Sequence, residues 1–516
     1  MLHGTAESVS CWMPTAGVRR SPLLERDTAA GVCIVGAGIA GLTTAWMLAR
    51  LGTQVVVLDD KDVGGGETAR TTAHLTCAID DRYVEMERIH GAELTTLIAG
   101  SHSAAIDTVE QIVTNESIAC GFRRVDGWLI PGDAEGMRLM PREAAAARRA
   151  GLVNVELVQR APVDSFEAGP CLRFPRQAQV HPMKYLEGLA RAVERLGGSI
   201  FRGAHVVSVE ERRGAVDLWT SRGPVVTAGS AVIATNTPIN ERLGVHLKQA
   251  GYRTYVLGMR IPRGTVPTAL YWDTLDPYHY VRLSEEPDAP GRHDLLIVGG
   301  EDHKSGQADD AGTRFARLEA WARRRFPMAE DVEYQWSGEV METMDGLAYI
   351  GREDDQSSVF IATGDSGMGM THGTIAGTIL SELILGRTSS WTELYSPRRR
   401  RMGALREFAR ETLNVALQYA SLVGPGEVDS VGEIGPGSGA VVRRGLRMIA
   451  VYRDPRGRLH ELSAACTHLN CIVQWNSLEK SWDCPCHGSR YDAMGKVLHG
   501  PAVNDLHPAP EQDEED

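Results

Sequence analysis

The sequence of 516 residues has no apolar segment long enough to cross a membrane and no excess of positive charge. A membrane-spanning helix needs about 18 consecutive apolar residues, and no stretch reaches that length. Lysine and arginine number 54 against 67 aspartates and glutamates, which gives a net charge of −13. This balance argues against nucleic acid or an anionic membrane as the main partner. Residues 1–28 also lack the apolar core of a signal peptide, so we expect a cytoplasmic protein with a disordered extension there.

Cysteine is scarce and unevenly distributed. Of the nine cysteines, four lie within residues 466–486. Such clustering indicates metal chemistry or a local disulfide rather than the disulfide framework of a small secreted protein. The remaining cysteines are scattered and are typical of small core or loop residues: Cys11, Cys33, Cys77, Cys120 and Cys171.

A glycine-rich segment follows the first predicted strand. Residues 32–35 are typical of a buried parallel strand, residues 38–51 have helical spacing, and residues 55–58 form a second strand. In such a β-α-β unit, a G-x-G-x-x-G pattern allows a tight turn, a close approach of a pyrophosphate and close helix packing. The pattern here comprises Gly36, Gly38, Ile39, Ala40 and Gly41. Asp59, with Asp60 beside it, is placed to accept hydrogen bonds from ribose, which predicts a site for FAD or NAD.

Two further segments favour FAD. A glycine-rich turn at residues 64–74 carries Arg70, Thr71 and Thr72, which would contact the pyrophosphate and the flavin. Residues 359–373 are predicted as strand, glycine-rich loop and helix, and the helix N-terminus would stabilise the anionic reduced flavin. The cofactor-binding residues expected in this segment are Gly364, Gly367, Gly369, Met370 and Thr371. No second G-x-G-x-x-G is present, which argues against a separate NAD(P)H domain.

Together these segments resemble the glycine/D-amino-acid oxidase (DAO) family of FAD-dependent oxidoreductases. The resemblance implies an α/β FAD-binding Rossmann-like domain over residues 29–395, with an inserted mixed-sheet substrate domain at about residues 175–345. It also implies oxidation of an amine or amino-acid C–N bond by hydride transfer to the flavin. No residue stands out as a catalytic base. The candidate substrate contacts, each of which could equally be a buried sheet residue, are Tyr252, Arg253, Tyr271, Trp272, His279 and Tyr280.

The C-terminal cysteines are interleaved with histidines. The sequences C-T-H at residues 466–468 and C-P-C-H at residues 484–487 put one cysteine and one histidine on each of two loops. A [2Fe–2S] cluster with two cysteines on one iron and two histidines on the other fits this spacing. A structural zinc site fits the same spacing. The candidate ligands are Cys466, His468, Cys484 and His487.

The wider sequence around these residues, C-T-H-L-N-C followed by C-P-C-H-G-S, resembles the Rieske proteins of cytochrome bc-type complexes over residues 427–508. The resemblance favours the iron–sulfur cluster over zinc and implies a C-terminal all-β domain. It also implies a disulfide between Cys471 and Cys486. In that group, hydroxyls matching Ser489 and Tyr491 hydrogen-bond the cluster or a ligand sulfur and raise the potential. Asn470 stands where the group usually has glycine, which puts the loop geometry in question.

The remaining segments connect or flank these domains. Residues 396–426 are predicted to form a linker with an amphipathic helix, and residues 509–516 an acidic tail. A flavin exchanges two electrons and the cluster one. Together with the two resemblances, this predicts an enzyme that oxidises a small amine or amino acid, as the DAO family implies, and passes electrons singly to an acceptor protein. The alternative is an electron-transfer module, reduced by a donor protein, that serves a partner enzyme.

Overall fold

The computed structural model describes residues 8–15, 17, 20–239, 244–285, 293–352, 354–399, 402–404, 413–414, 418–419 and 424–509. The helices within these residues are α1 (Ile39–Ala49), α2 (Tyr83–His90), α3 (Ala92–Asn115), α4 (Ala134–Arg149), α5 (Pro182–Arg195), α6 (Ala311–Arg325), α7 (Gly369–Ile384) and α8 (Ser390–Tyr395). None of the described helices is both long and apolar enough to cross a bilayer.

The strands of the first part of the chain are β1 (Thr28–Val35), β2 (Val55–Leu58), β3 (His74–Leu75), β4 (Arg123–Ile130), β5 (Glu156–Val158), β6 (Cys171–Gln179), β7 (Ser199–Phe201), β8 (Val206–Arg212), β9 (Ala215–Thr220), β10 (Val225–Ile233), β11 (Gln249–Pro262), β12 (Leu270–Asp273), β13 (His279–Ser284), β14 (His293–Lys304), β15 (Val332–Thr343), β16 (Tyr349–Arg352) and β17 (Val359–Thr363). The C-terminal strands are β18 (Ser438–Arg444), β19 (Arg447–Arg453), β20 (Leu459–Ser463), β21 (Gln474–Asn476), β22 (Ser481–Asp483), β23 (Arg490–Asp492) and β24 (Val497–His499).

The first sheet has eight strands and carries the glycine-rich segments. At its centre β1 pairs in parallel with β2 and β10, and β7 and β17 extend the parallel part on either side. The strands β2 and β17 are continuous buried runs, as expected where helices cover both faces of a parallel sheet. Helix α7 packs closely on α1 because a Cβ atom at Gly377 would collide with Thr43. The predicted Rossmann-like core is confirmed.

The second sheet has nine strands in the order β15-β11-β14-β13-β12-β4-β6-β3, with β5 beside β6. Most pairs are antiparallel, but β12 and β4 are parallel, so the sheet is mixed as predicted. Its strands β3 to β5 precede residue 175, whereas β7 to β10, which lie between residues 175 and 345, belong to the first sheet. The predicted limits of the substrate domain therefore differ from the structure, because strand periodicity does not tell which sheet a strand joins.

The C-terminal part is all-β, as predicted. Strands β18 to β20 form one antiparallel sheet and β21 to β24 another. They pack around a core that includes Trp475, Trp482 and Tyr491. The predicted linker helix lies mostly outside the described residues. In its later part, only residues 413–414 and 418–419 are described, and both pairs are helical. The predicted acidic tail lies outside them from residue 510 onward.

Part of the N-terminal extension is ordered, contrary to the prediction of disorder over residues 1–28. Cys11 and Trp12 are each only 2% exposed and pack against Trp336 of β15. The indole of Trp12 donates a hydrogen bond to the Thr71 carbonyl oxygen at 2.7 Å. A single tryptophan and a few serines anchor this segment, and such an anchor has no periodic pattern that a sequence could reveal. The first seven residues lie outside the description.

Candidate active site and iron–sulfur centre

A cavity of about 440 Å³ lies where the two large sheets and the C-terminal domain meet. The glycine-rich loops of the first sheet form one side, and strands of the second sheet form another. The C-terminal domain closes part of the wall with Arg490, Val497, Leu498, His499, Gly500 and Ala502. A large concave site with convergent polar groups is the usual place for a cofactor and a substrate.

Most of the predicted cofactor residues line this cavity. They are Gly36, Gly38, Ile39, Ala40, Asp59, Asp60, Arg70, Thr71, Thr72, Gly364, Gly367, Gly369 and Met370. Gly41 instead lies under the loop, where a Cβ atom would collide with the Gly36 carbonyl oxygen. Thr371 does not line the cavity either, because its hydroxyl donates to the Met368 carbonyl at 3.1 Å and meets His102 Nδ1 at 3.0 Å.

The geometry of the first loop fits a pyrophosphate. Gly36 has a φ of +109°, a value that glycine adopts without strain. A Cβ atom at Gly66 would meet nothing within 4 Å, so this second loop also leaves open space at the cavity wall. Helix α7 begins at Gly369 on the same cavity, so its free N–H groups and its positive dipole end are available to an anionic ligand. These features fit FAD.

Asp59 has a structural task that the sequence did not indicate. Its carboxylate accepts hydrogen bonds from the backbone N–H of Ala37 at 2.7 Å and from that of Lys61 at 2.8 Å. The side chain thereby ties the end of β2 to the glycine-rich loop. Burial and the neighbouring charge of Asp60 raise the pKa of Asp59 to about 7. Asp60 lies on the cavity wall beside it.

Only two of the six predicted substrate contacts, Trp272 and Tyr280, line the cavity. Neighbouring residues of a strand point to opposite faces, which turns Tyr271 and His279 away from it. The Tyr271 hydroxyl donates to the Pro267 carbonyl at 2.9 Å, and His279 stacks on Trp321 with ring centroids 4.2 Å apart.

The remaining two predicted contacts lie on β11. Tyr252 is absent from the lining and carries the Lys304 ammonium 5.8 Å from its ring centre. Arg253 is 1% exposed and turns toward the C-terminal domain, with its guanidinium 3.4 Å from Asp483. The prediction of substrate contact is therefore corrected for Tyr252, Arg253, Tyr271 and His279.

The cavity wall also carries carboxylates that the sequence analysis missed. They include Asp80, Asp302, Glu342 and Asp365, which come from four separate segments of the chain. The Tyr278 hydroxyl donates to Asp80 at 3.1 Å. Burial raises the pKa of Asp302 and that of Asp365 to about 7. Burial and the charges of Asp81 and Asp80 raise the pKa of Glu342 well above its usual value.

Thr254 and Tyr278 are further wall residues that the sequence analysis missed. Period-two alternation continued from Tyr280 back past the start of β13 is a signal that could have found Tyr278, whereas Thr254 follows no such pattern on β11. Tyr278 stands two residues from Tyr280, and Thr254 shares a hydroxyl–hydroxyl hydrogen bond of 2.6 Å with Tyr280.

The four candidate iron ligands lie together in the C-terminal domain. The thiols of Cys466 and Cys484 are buried and share a hydrogen bond, which lowers the pKa of Cys466 to about 6 and raises that of Cys484. The imidazole rings of His468 and His487 meet edge to face with centroids 4.9 Å apart. Burial lowers their pKa values to about 4 and about 3, so both rings are neutral at physiological pH. Neutral imidazole is the form that binds a metal.

The donor set fits a [2Fe–2S] cluster. The Nδ1 atoms of both histidines are buried and have no hydrogen-bond partner among the described residues. Two sulfurs and two such nitrogens are the Rieske ligand set. Cys471 and Cys486 form a disulfide, which puts the Cys486 sulfur within 4.8 Å of the Cys484 sulfur as well.

The two ligand loops are built alike. In the first, Cys466 N–H donates to the Cys471 carbonyl at 2.8 Å, and in the second, Cys484 N–H donates to the Ser489 carbonyl at 2.8 Å. Asn470 has a φ of +58°, so it takes the left-handed conformation that glycine would take, and asparagine tolerates it. The Tyr491 hydroxyl lies 3.1 Å from the Cys466 sulfur, in the position expected for tuning the potential.

Comparisons with known proteins agree with both parts of this geometry. The family model "FAD dependent oxidoreductase" (DAO) matches residues 31–383, which is more than half of the chain. The chain belongs to the DAO family. The model "Rieske [2Fe-2S] domain" matches residues 425–510. The protein therefore joins a DAO domain that binds FAD to a Rieske domain that binds a [2Fe–2S] cluster.

Relatives share either the whole arrangement or the DAO part. A putative Rieske 2Fe-2S iron-sulfur protein, YhfW of Bacillus subtilis, is 28% identical over 96% of both chains. The gamma-glutamylputrescine oxidoreductase of Escherichia coli is 22% identical over 70% of this chain and 85% of its own. Among solved structures, glycine oxidase from Geobacillus kaustophilus superposes with a TM-score of 0.61 at 18% identity, covering 72% of this chain and 99% of that one. At this low identity, the comparison with glycine oxidase shows a similar fold and nothing more.

The Rieske domain docks on the DAO domain through a buried interdomain ion network. The network consists of Arg70, Arg253 and Glu339 of the DAO domain with Glu479, Asp483 and Arg490 of the Rieske domain. Arg253 and Arg490 lie 3.4 and 3.2 Å from the Asp483 carboxylate. The three Rieske residues are at most 4% exposed.

Arg70 takes part in this network, which changes its expected role. Its guanidinium donates to Ser8 Oγ at 2.8 Å and to the Ser337 carbonyl at 2.7 Å, and it lies 3.6 Å from Glu479. Although Arg70 borders the cavity, these bonds commit its charge to the domain interface rather than to a pyrophosphate.

The histidine pair of the Rieske domain faces the DAO domain. His246, in a 3-10 turn just before β11, has its ring centroid 5.0 Å from that of His468 and 6.5 Å from that of His487. On the cavity side, His499 lies 3.4 Å from Glu339, and Lys61 donates to the Leu498 carbonyl at 3.2 Å. The cluster loops and the cavity wall are thus held by the same interface.

Proposed function

We propose that the protein oxidises the C–N bond of an amine or amino acid and passes the electrons singly through its Rieske cluster to an acceptor protein. The observation that carries this proposal is the shared cavity wall. Arg490 and His499 of the Rieske domain border the cavity into which the glycine-rich loops of the DAO domain open. This arrangement brings the two cofactor-binding domains together at one site, as an internal electron path requires.

Bound FAD would supply a two-electron acceptor for a hydride from the carbon beside the substrate nitrogen, and a bound cluster would supply a one-electron carrier. We assign the cluster to Cys466, His468, Cys484 and His487. We assign the FAD pyrophosphate to the N-terminus of α1 and the loop that begins at Gly36. We assign the ribose to Asp60 and Asp59. The Asp59 carboxylate accepts two backbone hydrogen bonds and has further lone pairs available for the ribose hydroxyls.

The side chains of the second sheet would orient the substrate. Trp272, Tyr278 and Tyr280 form an aromatic wall that excludes water from the reacting carbon. The Tyr280 hydroxyl is held by Thr254, so its ring and its oxygen have a fixed position. One relative is named for a substrate with an amine, gamma-glutamylputrescine, which supports the C–N class of reaction.

Anaerobic reduction of the purified holoprotein tests this proposal. A panel of amines and amino acids is added without oxygen, and flavin bleaching is followed by visible absorbance and cluster reduction by EPR. We expect at least one compound to reduce the flavin and then the cluster. Turnover should then continue on addition of a one-electron acceptor such as ferricenium.

The matched control is Cys466→Ser, which removes one cluster ligand that does not line the cavity. This variant should still be reduced at the flavin by the same compound, but it should lose turnover with ferricenium. If no amine or amino acid reduces wild-type flavin while a reduced ferredoxin does, the enzyme proposal is wrong and the electron-transfer module is the better description.

A further inference from the structure

The cavity wall that the second sheet and the 76–80 loop contribute is rich in carboxyl groups and aromatic rings. Asp80, Asp302 and Glu342 lie on it together with Trp272 and Tyr278. Among the described residues that this sheet and the 76–80 loop contribute to the cavity, none is lysine or arginine. Carboxylates combined with aromatic faces are the chemistry that recognises organic cations.

The carboxylates converge on the flavin-loop side of the cavity. A Cβ atom at Gly367 would collide with an Asp80 carboxylate oxygen, so Asp80 touches the loop directly. The largest electrostatic influences on Glu342 beyond burial are the charges of Asp81, Asp80 and Asp365, all of the same sign. Burial and this mutual repulsion disfavour the charged form of these carboxyl groups, and a cation bound among them would relieve the repulsion.

The nearest cations behind this wall are already engaged. Arg314 pairs with Asp310 at 2.6 Å and donates to the Glu301 carbonyl at 2.9 Å. Arg82 donates to the carbonyl oxygens of Asp80 and Asp273 at 2.6 and 3.0 Å. Both guanidinium groups bind backbone or surface carboxylate, and neither belongs to the cavity lining.

The Asp302 carboxylate has a hydrogen bond with the Thr254 side chain, but one of its two oxygens lacks a partner within the described part of the chain. Asp302 Oδ1 is completely enclosed and has no hydrogen-bond partner among the described residues, although the side chain borders the cavity. Leaving a buried carboxylate oxygen unsatisfied is costly, and a ligand that donates hydrogen bonds and carries positive charge removes that cost.

We propose that the cavity takes a substrate with at least two amino groups, a diamine or polyamine, and that Asp302 and Glu342 hold the ammonium group that does not react. This inference rests on the proposed function and narrows its substrate class. An α-amino acid would bring its own carboxylate against Asp80, Asp302 and Glu342, and like charges in a low-dielectric site repel strongly.

Three compounds of equal chain length test the substrate class on the wild-type holoprotein. They are 1,4-diaminobutane, 1-aminobutane and 4-aminobutanoate, which carry an ammonium, a methyl and a carboxylate at the distal end. Anaerobic stopped-flow absorbance gives the efficiency of flavin reduction for each. We expect the diamine to exceed 1-aminobutane by about 30-fold, or about 2 kcal/mol at 1.4 kcal/mol per tenfold. We expect 4-aminobutanoate to reduce the flavin with the lowest efficiency of the three.

Two substitutions test whether Asp302 and Glu342 bind the distal ammonium group. Asp302→Asn and Glu342→Gln should each lower the efficiency with the diamine at least tenfold and leave that with 1-aminobutane within about threefold. Glu333→Gln is the matched control, since Glu333 lies on β15 with Glu342 but pairs with Arg260 at the surface. It should change neither efficiency. The wild-type comparison stands even if a variant fails to fold.

The outcomes separate the two proposals. Reduction by 4-aminobutanoate or an α-amino acid at least as efficient as by 1,4-diaminobutane overturns the diamine inference and leaves amine oxidation standing. Reduction by none of the amines and amino acids overturns both. Equal loss of the diamine and 1-aminobutane reactions in Asp302→Asn also contradicts the inference, because it indicates a general structural effect.

Discussion

Replacing Arg253 by methionine should loosen the Rieske domain from the DAO domain. Arg253 lies on β11 and reaches across the interface to Asp483, with both side chains 1% exposed. Methionine keeps most of the side-chain volume but removes the charge. In the docked state Asp483 then retains Arg490 at 3.2 Å and hydrogen bonds from Ser481 and Asn476, whereas in an undocked state water also solvates the carboxylate. The cost therefore falls on the docked state.

The expected magnitude follows from the burial of the pair. Removing one partner of a buried ion pair costs about 3–5 kcal/mol because it leaves an uncompensated charge. We take about 3 kcal/mol, the lower end, because Arg490 still compensates Asp483. At 1.4 kcal/mol per tenfold, the population of the undocked state should rise about 100-fold.

Native-state hydrogen exchange measures this population. Peptides that contain β22 and β23 should exchange about 100-fold faster in Arg253→Met, whereas peptides of β1 and β2 should not change. The control is Arg260→Met on the same strand, where Arg260 pairs with Glu333 and is half exposed. Exposed pairs contribute little, so the control should resemble wild type. Equal exchange in the two variants would refute the role assigned to the interdomain ion network.

Three further predictions address the cluster, the cavity and the FAD loop. Tyr491→Phe removes the hydroxyl 3.1 Å from the Cys466 sulfur and should lower the cluster potential by about 40 mV, the equivalent of about 1 kcal/mol for one electron, as measured by film voltammetry. Burial raises the pKa of Asp302 from 3.8 to about 7, so its contribution to stability is complete below pH 4 and lost as the pH rises through 7. The Tm of Asp302→Asn relative to that of wild type should therefore rise between pH 5 and pH 8. A difference in Tm that does not change with pH would contradict the burial argument. Gly41→Ala should abolish FAD retention after gel filtration, whereas Gly312→Ala, where a Cβ atom meets nothing within 4 Å, should retain it.

The parts of the site that could be predicted from the sequence are those built from neighbouring residues. The glycines around Gly36 and the ligand pairs beginning at Cys466 and Cys484 each fall within a few residues, because one loop has to supply them. Residues that act together are then close in sequence and form a recognisable motif. The same holds for the alternation of strand and helix, which predicts the Rossmann-like core.

The carboxylate wall could not be predicted, because its members share no local pattern. Asp80 follows β3, Asp302 lies near the end of β14, and Glu342 lies near the end of β15. Only the folded sheet brings them together. The substrate contacts were missed for a related reason: period-two alternation separates Tyr280 from His279, but it does not tell which face carries the cavity.

Transfer of electrons from the flavin to the cluster within one chain is the central claim, and rapid freeze-quench EPR during a single anaerobic turnover tests it most directly. The holoprotein is mixed with a reducing amine, and flavin absorbance and the cluster signal are followed over the same time course. The account predicts that the reduced-cluster signal grows after the flavin begins to bleach, at a rate independent of protein concentration. A fully bleached flavin beside a cluster that stays oxidised, or a cluster rate that rises with protein concentration, would contradict it.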